Sequence, residues 1–437
     1  MPTKSTFKPS TATAVIIANM IGTGVFTSLG FQLLGIQSGF LILMLWIVGG
    51  ITALCGALTY AELGAALPRS GGEYNFLSHI YHPVAGFTSG WISSTIGFSA
   101  PTALAAITFG SYLSAVFPIL SAKLLAIGIL AAMTFIHASN RKNSGGIQRV
   151  FTILKIALII IFCVLAILLV SEPQPINFMP LSNDASLLFS STFAVSLIYV
   201  NYAYNGWNAA TYISSELEHP QKSLPGILIT GTLIVTVCYV ALNYVFLYAA
   251  PIDELSGKVE IGVIAAQHIF GSTGATIMGT VLSILLVSTV SAMTLAGPRV
   301  LQVIGEDFKV FKVLAVTNSD GVPYRAIYFQ SAIALIFILT SSFESILVFS
   351  GFALALNNFF AVAGIFILRK RQPNLERPYK TWLYPLPPLL YLSITIWTLG
   401  YILIERPMEA GMSLGIIVAG IIFYYFSTSV EDSKLSG

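Results

Sequence analysis

Charge in this chain is confined to short breaks between long apolar runs, and that pattern constrains its fold more than any other feature. Twelve such runs can be read, over about 10–34, 39–66, 84–117, 121–138, 148–171, 186–214, 225–250, 272–302, 326–341, 344–368, 383–404 and 409–430. A hydrocarbon core about 30 Å thick needs roughly 20 apolar residues per helix, so most runs suffice to cross it; the ninth is short. No alternating strand pattern occurs, and lipid cannot satisfy open backbone groups, so the spans are expected to be helices. Composition agrees: 9% of the 437 residues are charged, against about 25% in soluble domains. Length alone would suggest three soluble domains, but a chain lying mostly in lipid reads as one all-α membrane domain over 1–437.

The distribution of charge gives an orientation. Of 21 Lys and Arg residues, 17 fall in tails and loops on the side of the N-terminus. Three, Lys123, Lys258 and Arg406, fall on the other side, and Lys155 lies within a span. The positive-inside rule then places both termini in the cytoplasm, in a multi-pass protein of the inner (plasma) membrane. The first run lacks a short apolar core followed by a small-residue cleavage site, so it is expected to be a retained span. Cys55, Cys163 and Cys238 lie in apolar segments and suggest no disulfide framework. The five histidines lie near loops without metal-ligand spacing, and no Walker sequence, nucleophile elbow or zinc motif occurs. Neither a cofactor nor a metal is expected, no basic surface suited to nucleic acid is present, and no obligatory protein partner is evident. The run Arg369-Lys370-Arg371 reads as a cytoplasmic anchor suited to anionic lipid.

Two spans carry internal breaks. The first holds Gly22-Thr23-Gly24 at its middle, and the sixth holds Asn205-Gly206-Trp207. Glycine weakens a helix interior by about 1 kcal/mol relative to alanine, so both places are candidates for unwinding. Glycine also lets neighbouring membrane helices approach closely, which is the plainer reading of either break alone. Their spacing adds weight to the first reading, because spans five apart enter the membrane from opposite sides. That is the relation expected of two inverted five-helix repeats with a site between them. Amides at the start of the inner half-helix, around Ile21 to Gly24, could accept a carboxylate with help from the helix dipole. Carbonyls ending the first half of the sixth span, around Tyr202 to Asn205, could receive an ammonium group. A zwitterionic α-amino acid satisfies both ends at once.

The stretches NMIGTGVF (19–26), TYAELGAALPRSGGEYNFL (59–77), IQRVFTILKIAL (147–158) and FAVSLIYVNYAYNGWNAATYISSELEHPQKSLP (193–225) carry a family likeness. AGPRVLQ (296–302), RPYKTWLYPLPPL (377–389) and ERPMEAG (405–411) extend it over nearly the whole length. In this ordered set the chain resembles amino acid permeases of the amino acid–polyamine–organocation superfamily, particularly bacterial relatives of the L-type amino acid transporters. The resemblance implies a LeuT-type fold of five plus five inverted helices, with repeats at about 10–171 and 186–368 and two extra helices at about 383–430. It implies that Ile21, Gly22, Thr23 and Gly24 hold the substrate carboxylate, and that Tyr202, Ala203 and Asn205 surround the amine and side chain. Tyr202 takes the place of the family's aromatic outer gate, or packs at an interface. Many L-type relatives have glycine where Asn205 stands, so an amide there would favour small or polar substrates, or would pair with backbone freed by the break.

Lys155 is the one basic residue well inside a span, and an ionisable group at depth is a functional candidate. It lies six residues past Arg149, about 9 Å deeper on a helix rising roughly 1.5 Å per residue, from where it could also snorkel to the interface. The resemblance implies that its amine replaces the ion of sodium-coupled relatives, contacting carbonyls near Ile17 to Met20 and the hydroxyls of Ser288 and Ser291. Proton coupling and obligate exchange are both compatible with such a residue. Glu62 and Glu216 sit near cytoplasmic helix ends, Glu62 either closing an inner gate or bracing the adjoining loop. Trp207 and Asn243 either support the site or pack. No acidic residue lies near the breaks, and a second substrate cation would want one, so small neutral amino acids are preferred. The expected activity is alternating-access transport by exchange or proton-coupled symport. Its rivals are an amine or polyamine carrier, which would leave the Gly22–Gly24 amides unused, and a non-transporting sensor, for which longer tails would be expected. A membrane enzyme finds no convergent nucleophile and base.

Overall fold

A computed structural model describes residues 8–139, 144–182, 184–308 and 311–435. All regular elements among the described residues are helical. Ten stretches are long and apolar enough to cross a membrane, and Tyr324–Thr340 is a shorter apolar helix. In chain order the helices are α1 (Pro9–Met20), α2 (Gly24–Gln32), α3 (Gly39–Ala66), α4 (Glu73–Ile80), α5 (Pro83–Ile92) and α6 (Ser99–Val116). Then come α7 (Ala122–Ser139), α8 (Ser144–Leu169), α9 (Asp184–Leu188), α10 (Ser191–Tyr204), α11 (Pro220–Ala249) and α12 (Ile252–Leu255). The last five are α13 (Ile261–Asp307), α14 (Tyr324–Thr340), α15 (Phe343–Arg371), α16 (Leu386–Glu405) and α17 (Pro407–Leu435).

Local chemistry sets many of these ends. Ser38, Ser190 and Ser342 accept hydrogen bonds from backbone amides three residues on, at 3.3, 3.2 and 3.1 Å, and so cap α3, α10 and α15. Proline opens α1, α5 and α11, where its missing N–H is not needed. α5 runs into α6 through one π-helical turn, Ser93–Gly97, so the third expected span is continuous. Gly271, at φ 72°, kinks α13, leaving a short helix before it and a long one after it. The outward faces are greasy: on α8, Ile153, Ile160, Ile167 and Leu168 are all more than half exposed. Soluble proteins do not present apolar faces of that extent, and lipid is the solvent they fit.

The sixth expected span does not form as one helix. α9 is separate, α10 stops at Tyr204, and the chain resumes as a 3₁₀ segment over Ala209–Glu216. The first span divides likewise into α1 and α2. The two breaks lie against each other at the centre of the bundle. α1 and α2 pack on the 3₁₀ segment and α10, α3 lies along α11, and α6 along α13.

Candidate substrate site

Between the breaks lies a cavity of about 370 Å³, within the range of small-molecule sites. Gly22, Thr23, Gly24, Tyr202, Ala203 and Asn205, six of the residues singled out in the sequence, all line it. Ile21 does not: it is fully buried, and its carbonyl serves another partner.

Glycine is required at one position in each break. A Cβ on Gly24 would lie 2.6 Å from the Cα of Ala203, and one on Gly206 would lie 3.0 Å from the Asn19 backbone. Each break is thus pressed against the other broken helix. Gly206 also sits at φ 107°, which only glycine adopts readily. Close packing and unwinding, weighed as alternatives from sequence, occur together.

The breaks leave backbone groups unspent. Ile21 N–H and Gly22 N–H donate to the carbonyls of Ile17 and Met20, but the amides of Thr23, Gly24 and Val25 have no hydrogen-bond partner among the described residues. They form the N-terminus of α2, where the helix dipole favours negative charge. These amides open α2, the half of the first span that follows the break; on the orientation expected from the charge bias that is the outer half-helix, not the inner one expected from the sequence. At the other break, the carbonyl end of α10 points its negative pole into the same region, with Asn205 N–H turned back onto the Tyr202 carbonyl at 3.0 Å.

Tyr239 of α11 was not singled out in the sequence, yet it joins the two breaks. Its hydroxyl reaches the carbonyl of Met20 and, at 3.0 Å, that of Ala203. A tyrosine among many in apolar spans carries no local signal of this role. Asn243, one turn later, donates to the Tyr239 carbonyl at 2.8 Å and lines neither this cavity nor the small one beside it, so it acts on the site only through that helix. Trp207 is buried edge-on against Tyr60, with ring centroids 4.6 Å apart, and wedges the second break against α3.

Lys155 is buried and does not snorkel. Its ammonium donates to the Ile21 carbonyl at 3.0 Å and to Thr289 Oγ1 at 2.9 Å. The carbonyl is one residue beyond the stretch expected, and the hydroxyl is neither Ser288 nor Ser291. Ser288 bonds the Leu285 carbonyl at 2.7 Å, and Ser291 faces His137 at 2.8 Å. On α13 residue 289 is turned about 100° from 288 and about 160° from 291, and of the three only Thr289 meets Lys155.

Glu62 lies away from the cavity. It receives Arg369 through Nε at 2.8 Å and Nη2 at 2.6 Å, Thr381 N–H at 2.6 Å, and Arg377 at 3.4 Å. These contacts brace the segment leading into α16. The same contacts consume much of the basic run: Arg369 faces Glu62, and Arg371 bonds the Ile80 carbonyl at 2.9 Å. The side chain of Glu216 lies outside the described residues.

The cavity is closed on one side and open on the other. Tyr202 is 8% exposed. Beyond it, Phe31 stacks on Phe343 at 5.6 Å, and Tyr199 donates to Glu344 at 2.6 Å, with Arg406 on the same carboxylate. The opposite end runs out between α1, the loop at Ser70 and Gly71, and α13, past exposed Arg299 and Val303. Arg299 is the one charged residue among the described lining residues. Asn205 and Tyr202 also border a second chamber of about 30 Å³, with Asn201, Tyr391 and Thr395. No hydrogen bond holds the Asn205 side chain among the described residues, so the pocket reading of that amide fits better than pairing with freed backbone.

Known proteins resemble the chain over nearly its whole length. The serine/threonine exchanger SteT of Bacillus subtilis (strain 168) is 31% identical over 420 residues, covering 95% of this chain and 94% of its own length. The b(0,+)-type amino acid transporter 1 of Mus musculus is 27% identical over 94% of this chain and 85% of its own. The large neutral amino acids transporter small subunit 2 of Homo sapiens is 28% identical over 95% and 78% respectively. The family described as amino acid permease matches residues 7–426. The chain therefore belongs to the amino acid permease family, within the amino acid–polyamine–organocation superfamily, and is a multi-pass membrane protein.

Proposed function

We propose that this permease carries small neutral L-amino acids by alternating access, through exchange or proton-coupled symport. One observation carries the reading: a helix N-terminus with spare amides and a helix C-terminus with carbonyls meet at one cavity. The α-carboxylate lies on the amides of Thr23, Gly24 and Val25, and the α-ammonium on the carbonyls closing α10, each favoured by the local dipole. The side chain then extends toward Tyr202 and Asn205, whose bulk favours small cargo. No acidic residue lines the cavity among the described residues, so a second cation on the substrate would find no partner. The nearest buried carboxylate in the wall, Glu73, lies behind Asn208 and Tyr212, which both donate to it.

The larger frame belongs to the same proposal. The twelve-span arrangement counts α14 and the broken α10 with the ten longer stretches. The order of the two breaks fits inverted repeats of the LeuT type, and the positive-inside bias fits cytoplasmic termini in the plasma membrane. The opening beside Arg299 is then the cytoplasmic mouth. Lys155 stands as a fixed cation between α8, the first break and α13, in keeping with exchange or with proton coupling. No cofactor enters the cycle.

Uptake into proteoliposomes decides the matter. All twenty L-amino acids are tested with and without internal amino acid and under a proton gradient, and saturable uptake of serine, threonine or alanine is expected. If none of the twenty is taken up or exchanged under any gradient, the reading fails. Competition by carboxyl esters separates it from an amine carrier: esters should inhibit weakly, and undiminished inhibition favours the amine. Ligand binding without turnover would make the protein a sensor.

A further inference from the structure

A cavity walled by backbone ends and apolar side chains has one charge at its mouth, and nothing in the site described above uses it. Arg299 lies on the stripe of α13 that forms one wall, Thr289, Met293, Ala296, Val300 and Val303, spaced by three and four residues so that they share a face. Thr289 stands level with the first break, since a Cβ on Gly22 would lie 3.8 Å from its methyl. Arg299 follows ten residues later, about 15 Å along the helix toward the opening. The residue is exposed, and its guanidinium has no hydrogen bond or ion pair among the described residues. The following acid on the helix, Glu306, accepts from Gln302 at 3.0 Å and does not line the cavity.

We propose that Arg299 is a carboxylate-steering residue: it captures the α-carboxylate of an amino acid entering from the face that bears the N-terminus and turns it toward the amides that open α2. The inference rests on reading the cavity as the amino acid site. A zwitterion has no net charge, so attraction acts through orientation and local retention at the mouth. Low-dielectric walls on both sides focus the field of a single guanidinium along the passage. Its planar fork suits a carboxylate better than a point charge does. Arg299 stands at one mouth, whereas Arg406 at the other end is taken up by Glu344, so the steering effect is confined to the first face. At the other face the carboxylate approaches α2 from beyond Tyr202, with no cation among the described cavity-lining residues.

The test compares right-side-out and inside-out vesicles from cells expressing the full chain, the two faces being told apart by a tag at the N-terminus. The probe is L-serine in homoexchange, or the best-exchanged amino acid of the uptake screen if serine is poor. In Arg299→Gln the half-saturating concentration at the N-terminal face should rise about three- to tenfold, and at the other face it should not change. The wild-type value at the N-terminal face should rise with added KCl toward that of the variant, and Arg299→Lys should restore part of the loss. An active Arg299→Gln variant with unchanged half-saturation overturns the proposal. So does an equal rise at both faces without salt dependence, which would mark a structural role. If the variant does not accumulate, the wild-type salt titration decides: no salt-dependent rise confined to the N-terminal face overturns it. Absence of exchange for every amino acid in the wild type would instead defeat the reading of the cavity.

Discussion

Gly24 and Ala203 touch where the two unwound segments meet, and a single added methyl there would lie 2.6 Å from backbone carbon. Backbone cannot swing aside as a flexible side chain can. Gly24→Ala is therefore expected to cost about 1–3 kcal/mol and to abolish uptake, read as a lower unfolding midpoint in detergent together with loss of exchange. Lys155 makes a different kind of contribution. Its ammonium is held by one carbonyl of the first break and one hydroxyl of α13, so it ties the broken span to an unbroken one. Lys155→Ala leaves that carbonyl and hydroxyl without their donor, and exchange should fall at least tenfold while the folded protein still elutes as one species. Thr289→Val should show a smaller fall in the same assay, because the Ile21 carbonyl remains available. An active Lys155→Ala variant with unaltered transport across pH would remove the lysine from the mechanism.

The helices themselves were largely legible before any coordinates, because lipid demands an apolar length that shows directly in the residues. The third, eighth and ninth expected spans, 84–117, 272–302 and 326–341, agree closely with Pro83–Val116, the part of α13 after Gly271, and Tyr324–Thr340. The breaks were legible too, since Gly22 and Gly24 interrupt one apolar run and Gly206 interrupts the other. Partners across the bundle were not. Whether Lys155 meets residue 288, 289 or 291 depends on the rotation of α13, and hydropathy does not report rotation when nearly all sides are apolar. Tyr239 was invisible for the same reason. The seal at the closed end also comes from remote segments: Phe31 on α2, Tyr199 on α10, Glu344 opening α15, and Arg406 before α17. Glu344→Gln should weaken that seal and shift the population toward opening there. Hydrogen exchange of the amides in α2 and α10 should then rise, with little change in α3 or α11. Equal exchange in variant and wild type would assign closure to Tyr202 and the aromatic stack alone.

Across the whole molecule, Glu62 shows what ties distant segments of the outer frame together. One buried carboxylate gathers two arginines and a backbone amide, joining α3 to the end of α15 and to the segment before α16. Breaking a buried pair by removing one partner costs about 3–5 kcal/mol. Glu62→Gln should therefore lower the unfolding midpoint strongly, with the half-saturating concentration of surviving protein unchanged because the site is elsewhere. A frame so tied lets the two broken spans share one fastening. A phenol has a single hydrogen, yet two carbonyls, of Met20 and Ala203, compete for that of Tyr239. Met20 also accepts from the Gly22 amide at 2.7 Å, so Ala203 is the carbonyl that loses most when the phenol turns away. On the proposed reading, a substrate ammonium that satisfies Ala203 would release the phenol wholly to Met20, so arrival at one break would be felt at the other without any atom of the substrate reaching it.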